Sequence, residues 1–307
     1  MGYDEAFRNV VFASKAHLRL QDQHLVVQNE EENARLYIKD LQCVILESPQ
    51  ITITQALLSA LAEAKVLVLT CDKTHTINGI YTPFLGHFAN AQVAREHIAV
   101  SAQNKASLWC EIVKNKISNQ ASVLEMCGYT KQAQDLAKLC DKVSMGDHDN
   151  IEAYAAALYF RYLFGNGFSR KHKHKIQNAL LDYGYAIVRS CVIRSVCMSG
   201  LLTWFGIKHN NQFNQFNLCD DLIEVFRPFV DRCVLALLES RVLDSEYSQY
   251  IETMTRQDKM ALIENLQSEA KIGERVFPLH RAINFYVQRF KNALLYGQPL
   301  LLVEFGV

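Results

Sequence analysis

The chain has 307 residues, half of them hydrophobic, and its 32 basic and 32 acidic side chains cancel. That length and apolar content suffice for a substantial core, most simply divided between two domains. Balanced charge excludes a global polycation, so any surface for a polyanion must be local.

Residues 8–50 alternate short apolar runs with polar breaks, RNVVFAS, AHLRLQ, HLVVQ, ARLYI and CVILES, a pattern that predicts strands of an antiparallel sheet. Asp22–Gln23 is short enough for a hairpin. Pro49 ends the series, and Thr54 is placed to cap a helix running to about Ala64. Val66–Thr70, VLVLT, predicts a buried strand; Asn78–Gly79 reads as a turn, and Pro83 marks an edge or linker. These elements make a β-rich first domain over residues 1–88.

Beyond Gly86 the composition shifts to Ala, Leu, Gln, Lys and Glu at helical spacing. A long helix closing at Gly128 is expected, then helices near 130–143, 149–163, 175–203, 220–240 and 255–271, so residues 89–307 form a larger, all-α domain. The fold class is α+β by domain. Nine cysteines, an odd number without a C-x-x-C pair, sit mostly among aliphatic residues and read as reduced core thiols. MGYDEAFRNVV lacks the basic start and apolar run of an export signal, and no apolar stretch reaches the roughly 18 to 20 residues of a membrane span. A soluble cytoplasmic protein with no membrane partner is expected.

The residues that carry chemistry concentrate in LTWFGIKHNNQFNQFNLCDDLIEVFRPFVD, Leu202 to Asp231. His209 lies on an Asn-rich loop, and Asp220, Asp221 and Glu224 open the next helical run. Asp221 and Glu224, three apart, share one helical face, which suits a hard divalent cation. The same DD before an apolar run is also what an ordinary helix N-terminus looks like. Far upstream, Glu152 in NIEAYAAALYF opens an Ala-rich helix, where an acid also favours the helix dipole. Arg170, Lys171, Lys173 and Lys175, with His172 and His174, form the densest basic run, either a solvated helix start or a phosphate contact. Lysines beside those histidines repel a metal. No phosphate-loop, dinucleotide-loop, G-x-S-x-G or H-E-x-x-H motif occurs, and no glutamate begins a Glu-x-x-His.

The ordered series NALLDYGYAIV through GIKHNNQFNQFNLCDDLIEVFRPFVD resembles the CRISPR-associated spacer-acquisition integrases, above all members accompanying type II systems. ILESPQITITQALLSALAEAK followed by CDKTHTINGIYTPF is similar to their N-terminal domain, and NIEAYAAALYF to the helix bearing their first metal glutamate. The resemblance implies that Glu152, His209 and Glu224 are the catalytic metal ligands, with Glu224 favoured over Asp221. Lys208 stands where a second His is common, and Val225 where Pro is common. It further implies Mn²⁺ or Mg²⁺ as cofactor, an N-terminal β domain that mediates homodimerisation, a small ferredoxin-like companion protein, and double-stranded DNA as substrate. The implied activity is an endonuclease/integrase that inserts short DNA segments into a CRISPR array by 3′-hydroxyl transesterification. Arg170 to Lys175, Lys208 and Arg227 are candidates for phosphate contacts. Two other functions remain open from the residues: a metal-dependent DNA nuclease without joining activity, and a non-enzymatic helical DNA-binding scaffold.

Overall fold

A computed structural model describes residues 8–28, 33–73, 77–81, 83, 89–171, 175–243 and 253–306. Met1–Phe7 of the N-terminal segment, His172, Lys173 and His174 of the basic run, and residues 84–88 after Pro83 lie outside them. Two compact units emerge: Met1–Val93 with Arg194–Leu201, and Ala94–Ile193 with Leu202–Val307.

In the first unit, β1 (Arg8–Phe12), β2 (His17–Gln21), β3 (His24–Gln28), β4 (Asn33–Tyr37), β5 (Leu41–Leu46), β6 (Thr52–Ile53), α1 (Gln55–Glu63), β7 (Leu67–Cys71) and β8 (Ile77–Tyr81) build two four-stranded sheets. One has the order β4-β3-β2-β6. Asp22 and Gln23, with φ of 49° and 62°, make the tight turn of the expected hairpin between β2 and β3. The other has the order β1-β5-β7-β8, and here the antiparallel expectation is corrected: β1, β5 and β7 pair in parallel and only β8 runs against them. The reason is legible in CVIL and LVL, which are apolar at successive positions rather than alternating, as strands covered on both faces are. Val44 and Val68 join Leu18, Leu25, Leu57 and Leu61 in one core, while Cys43, Ile45, Leu67 and Leu69 form a second cluster. Thr54 caps α1 as expected, its side chain accepting from Leu57 N at 3.4 Å. Asn78–Gly79 is not a turn but lies inside β8. A Cβ at Gly79 would stand 2.3 Å from Thr70 Oγ1 on the paired strand, so the glycine answers to close approach.

The second unit is chiefly helical. The single long helix expected at its start is two, α2 (Asn90–Ala99) and α3 (Ala102–Met126), because Ser101 caps the second by accepting from Asn104 N at 3.2 Å. Gly128, at φ 80°, sits just beyond the end of α3. Then come α4 (Thr130–Ala137), α5 (Ile151–Phe164), α6 (Ile176–Ser199), whose last residues from Arg194 on count with the first unit, and α7 (Asn217–Leu222), a 3-10 turn over Ile223–Phe226, α8 (Arg227–Leu243) and α9 (Arg256–Glu264). The all-α expectation needs amending. β9 (Glu269–Ile272), β10 (Arg275–Pro278) and β11 (Val303–Phe305) form a three-stranded antiparallel sheet in the order β10-β9-β11, and α10 (Leu279–Tyr296) lies between the last two in sequence. The helix expected to reach residue 271 ends at Glu264, since Ala270 and Ile272 alternate with polar neighbours and Gly273, at φ 62°, turns β9 into β10.

α3 is the axis of this unit. Trp109, Ile112, Val113, Ile117, Val123 and Leu124 are buried along it, and so are the polar Asn115, Lys116, Asn119 and Gln120. Buried polar groups demand partners. Asn115 finds them in β11, donating to Val303 O at 2.7 Å and accepting from Val303 N at 2.8 Å. The next turn of the same helix, Lys116 with Asn119 and Gln120, reaches the residues singled out by sequence. Among the described residues no helix is long and apolar enough to cross a membrane.

Candidate active site

Glu152 stands in the first turn of α5. The carboxylate of Asp147 accepts from Ile151 N at 2.9 Å and from Glu152 N at 3.1 Å, so it holds the helix start that carries Glu152. Glu224 stands on the 3-10 turn between α7 and α8, and Asn119 of α3 ties that turn down by donating to Val225 O at 2.9 Å. Lys116 lies between the two acids. Its ammonium pairs with Glu152 Oε1 and with Glu224 Oε2, the latter at 2.5 Å, and the Lys116 and Glu224 side chains are each only 7% exposed. On the other side Arg227 Nε donates to Glu224 Oε1 at 2.8 Å, with its guanidinium 4.6 Å from the ring centre of Tyr185.

The electrostatics follow from burial against pairing. Burial alone would raise the Glu224 pKa, but Arg227 and Lys116 overcome it and bring the carboxyl down to about 2. Burial likewise works to lower the Lys116 pKa, and Glu224 and Glu152 reverse it to a net rise. Behind Arg227, Asp231 accepts from the Tyr185 hydroxyl, yet its burial dominates and pushes its pKa up to about 6. A cavity of about 240 Å³ opens onto this cluster, its lining including Lys116, Gln120, Glu152, Arg170, Glu224 and Arg227.

His209 is placed by a different device. Asp221, wholly buried, accepts four hydrogen bonds: from Ile207 N (2.7 Å) and Lys208 N (3.2 Å) on one oxygen, and from His209 N (3.0 Å) and the His209 ring Nδ1 (2.7 Å) on the other. The carboxylate thus gathers the whole Gly206–His209 segment. Gly206 permits it, because a Cβ there would stand 2.3 Å from His209 O and 2.7 Å from Asp221 Oδ2. The Asp221 hydrogen bond raises the His209 pKa against the opposing effect of burial. Asp220 faces away from this work and holds Arg189 through two contacts of 2.6 and 2.9 Å. Lys208 donates to Gly146 O at 2.8 Å.

The structure therefore joins Glu152 to Glu224 through one shared cation, while His209 is held separately on Asp221 and is not part of the cavity lining. Among the described residues no three His, Cys, Asp or Glu side chains form a ready-made metal cage. The donor chemistry nonetheless fits Mn²⁺ or Mg²⁺: two carboxylates already converge on a positive charge, and a histidine with Nδ1 fixed on a buried acid keeps Nε2 as its free donor position. Asp221 serves as that orienting acid. Of the expected phosphate contacts, Arg170 donates to Asn178 Oδ1 at 2.7 Å and pairs with Asp182, Lys175 is exposed, and Arg227 is occupied by Glu224. Sequence reading passed over Lys116, Asn119, Gln120 and Asp147. The first three carried no distinguishing signal, because α3 has polar residues along its whole length and only packing separates the buried ones from the solvated ones.

Comparison with known proteins gives the family and the fold. The family model described as CRISPR associated protein Cas1 matches residues 10–267. The CRISPR-associated endonuclease Cas1 of Neisseria meningitidis serogroup C (strain 8013) is 34% identical over 285 residues, 93% of this chain and 91% of that protein. In fold, the chain is similar to a casposase bound to integration product, with a TM-score of 0.78, 15% identity, and coverage of 95% of this chain and 92% of that one. It is also similar to a Cas6-RT-Cas1–Cas2 complex, with a TM-score of 0.72 and 20% identity over 96% of this chain and 35% of that longer one. A family match across most of the sequence, joined to a relative one-third identical nearly end to end, establishes that this chain belongs to the Cas1 family.

Proposed function

We propose that the chain is a divalent-metal-dependent DNA integrase that inserts short DNA segments into a CRISPR array. One observation carries the reading: Glu152 and Glu224, 72 positions apart in sequence, meet on a single buried cation at the mouth of a cavity. An acid pair bridged over such a span serves chemistry better than packing, since buried charge costs stability. A relative is named an endonuclease and a fold neighbour was seen with an integration product, which supports nucleic-acid cleavage and joining as the class of reaction.

In the reaction, a 3′-hydroxyl oxygen of the incoming DNA forms a bond to a target phosphorus, and the bond from that phosphorus to the target's own 3′-oxygen breaks. The proton leaves the attacking hydroxyl, and one returns to the departing oxygen. Glu152, Glu224 and Nε2 of His209 would hold Mn²⁺ or Mg²⁺, which when bound polarises the phosphoryl oxygens and stabilises the charge on both oxygens. Asp221 fixes the His209 ring, Asp147 fixes the start of the helix bearing Glu152, and Asn119 fixes the turn bearing Glu224. Arg227 and Lys116 favour the ionised form of Glu224, the form a metal ligand needs. Arg170, Lys175 and Lys208 are the proposed contacts to the DNA backbone, which position the strands without reading them.

The working assembly is proposed to be a homodimer, formed through the β-rich N-terminal domain over residues 1–88, together with a small ferredoxin-like companion; the similarity to a complex containing Cas1 and Cas2 supports a partnered unit. The domain over 89–307 carries the chemistry. The test is strand joining with labelled DNA and a repeat-bearing target in the presence of Mn²⁺. Glu152→Ala, His209→Ala and Glu224→Gln should each leave a folded protein with joining reduced by at least about a hundredfold. Wild-type joining by any one removes that residue from the ligand set, while cleavage without half-site products from the wild type would make the chain a nuclease only.

A further inference from the structure

We infer that Lys116 is a built-in competitor for the metal, an ammonium that occupies the carboxylate pair until a divalent cation displaces it toward Gln120. The inference rests on the metal-site reading above and adds a residue which that reading does not use.

Four observations converge. The Lys116 ammonium pairs with both proposed carboxylate ligands at once, so it stands where a cation bridging them would stand. Its side chain is 7% exposed, so water does little to replace those contacts. The acids cannot simply move away from it: Asn119, one turn along α3, donates to Val225 O and thereby fixes the Glu224 turn against the helix that carries Lys116. Finally, Gln120 is 2% exposed, lines the same cavity, and among the described residues its Oε1 has no hydrogen-bond partner.

The last point matters most. A buried amide oxygen without a donor costs free energy that natural structures rarely leave unrecovered. Gln120 follows Lys116 by four positions on α3, the spacing at which side chains on one helix face meet. An ammonium pushed off the acids by a doubly charged cation therefore has an acceptor within the reach of a flexible lysine, and it stays inside the cavity. Like charges forbid the ammonium and the cation from sharing the two carboxylates unchanged. Lys116 thus holds the half-buried Glu152 and the buried Glu224 together without metal, weakens metal binding by competition, and on release stays within the cavity.

Equilibrium Mn²⁺ binding to the purified 307-residue chain tests this, with free Mn²⁺ read by its paramagnetic resonance signal. Lys116→Met should bind Mn²⁺ at least about tenfold more tightly than wild type, a gain of about 1.4 kcal/mol. It should also melt at a lower temperature without metal and gain more from metal than wild type does. Gln120→Leu, which removes the refuge of the displaced ammonium, should shift affinity the other way. If Lys116→Met does not fold without metal, Lys116→Gln takes its place, with the same direction expected. Affinity unchanged or weaker in the Lys116 variant overturns the competition while leaving the metal site standing, provided the wild type binds and Glu224→Gln does not. No Mn²⁺ binding by the wild type would instead remove the site reading, and the competition with it.

Discussion

Asp221→Asn is the most informative single change, because it alters one atom and leaves the shape of the site alone. Each Asp221 oxygen accepts two hydrogen bonds, one from Ile207 N and Lys208 N, the other from His209 N and His209 Nδ1. An amide must turn its NH₂ toward one of these pairs: toward Ile207 and Lys208 it faces two donors, and toward His209 it faces the backbone donor and makes Nδ1 accept, which moves the ring proton to Nε2. A buried donor left unpaired costs roughly 1–3 kcal/mol. The loop is partly exposed and water recovers some of this, so the total is about 2–4 kcal/mol. Against a typical stability of about 5–15 kcal/mol the chain stays folded while the Gly206–His209 segment loosens. With the carboxylate gone, Nδ1 is held as the donor less firmly or not at all, a change of orienting group that in metal sites generally costs about 10–100-fold in affinity or activity. Urea unfolding followed by circular dichroism measures the first effect, and Mn²⁺ binding with half-site joining measures the second. Joining within about twofold of wild type, at unchanged urea midpoint, would refute the orienting role. Loss of Mn²⁺ binding as complete as in Glu224→Gln would make Asp221 a ligand instead.

Two further changes test the frame around the site. Gly206→Ala places a methyl 2.3 Å from His209 O and 2.7 Å from Asp221 Oδ2, so it should cost roughly 1–3 kcal/mol in urea unfolding and lower joining with it; unchanged stability would show the segment can move aside freely. Asp231 gives a pH signature. Its folded pKa of about 6 lies above the usual 3.8, so between these values the folded state holds a proton that the unfolded state has released, and stability contributed by this group is full below 3.8 and lost as pH rises through 6. Asp231→Asn cannot ionise, so its stability relative to wild type should improve by on the order of 1–3 kcal/mol from pH 4 to pH 7.5. A constant difference across that range would place the Asp231 pKa at its ordinary value.

The sequence was readable where local signals and tertiary demands coincide. The Asp22–Gln23 hairpin, the Thr54 cap and the buried strand after α1 each follow from residues within a few positions of one another. It was misread where a local signal served a distant contact. Asn78–Gly79 spells a turn, but the glycine is there for Thr70 on the neighbouring strand. The sheet formed by β9, β10 and β11 was hidden because EAKI is short, and because Ala, Lys and Glu are better helix than strand formers. In the site, His209 and Glu224 stand out by residue type and spacing. Lys116 does not, since a lysine on a long helix ordinarily means a solvated face, and only tertiary structure shows that this one is buried on two acids.

Why the site depends so heavily on α3 follows from what each functional side chain lacks. Glu152 opens a helix and Glu224 sits on a short 3-10 turn, so neither position is stiff by itself. α3 supplies the stiffness: Asn115 locks β11, Asn119 locks the Glu224 turn, and Lys116 draws both acids to one point, all within two turns of one helix. His209, on a loop that α3 does not brace through such bonds, receives its own brace in Asp221. A site that must hold reacting atoms to within a fraction of an ångström needs its ligands on rigid supports. Substitutions at Asn119 or Asp221 should therefore injure strand joining more than their cost in stability alone would predict, whereas an equally destabilising change in the β-rich unit should not.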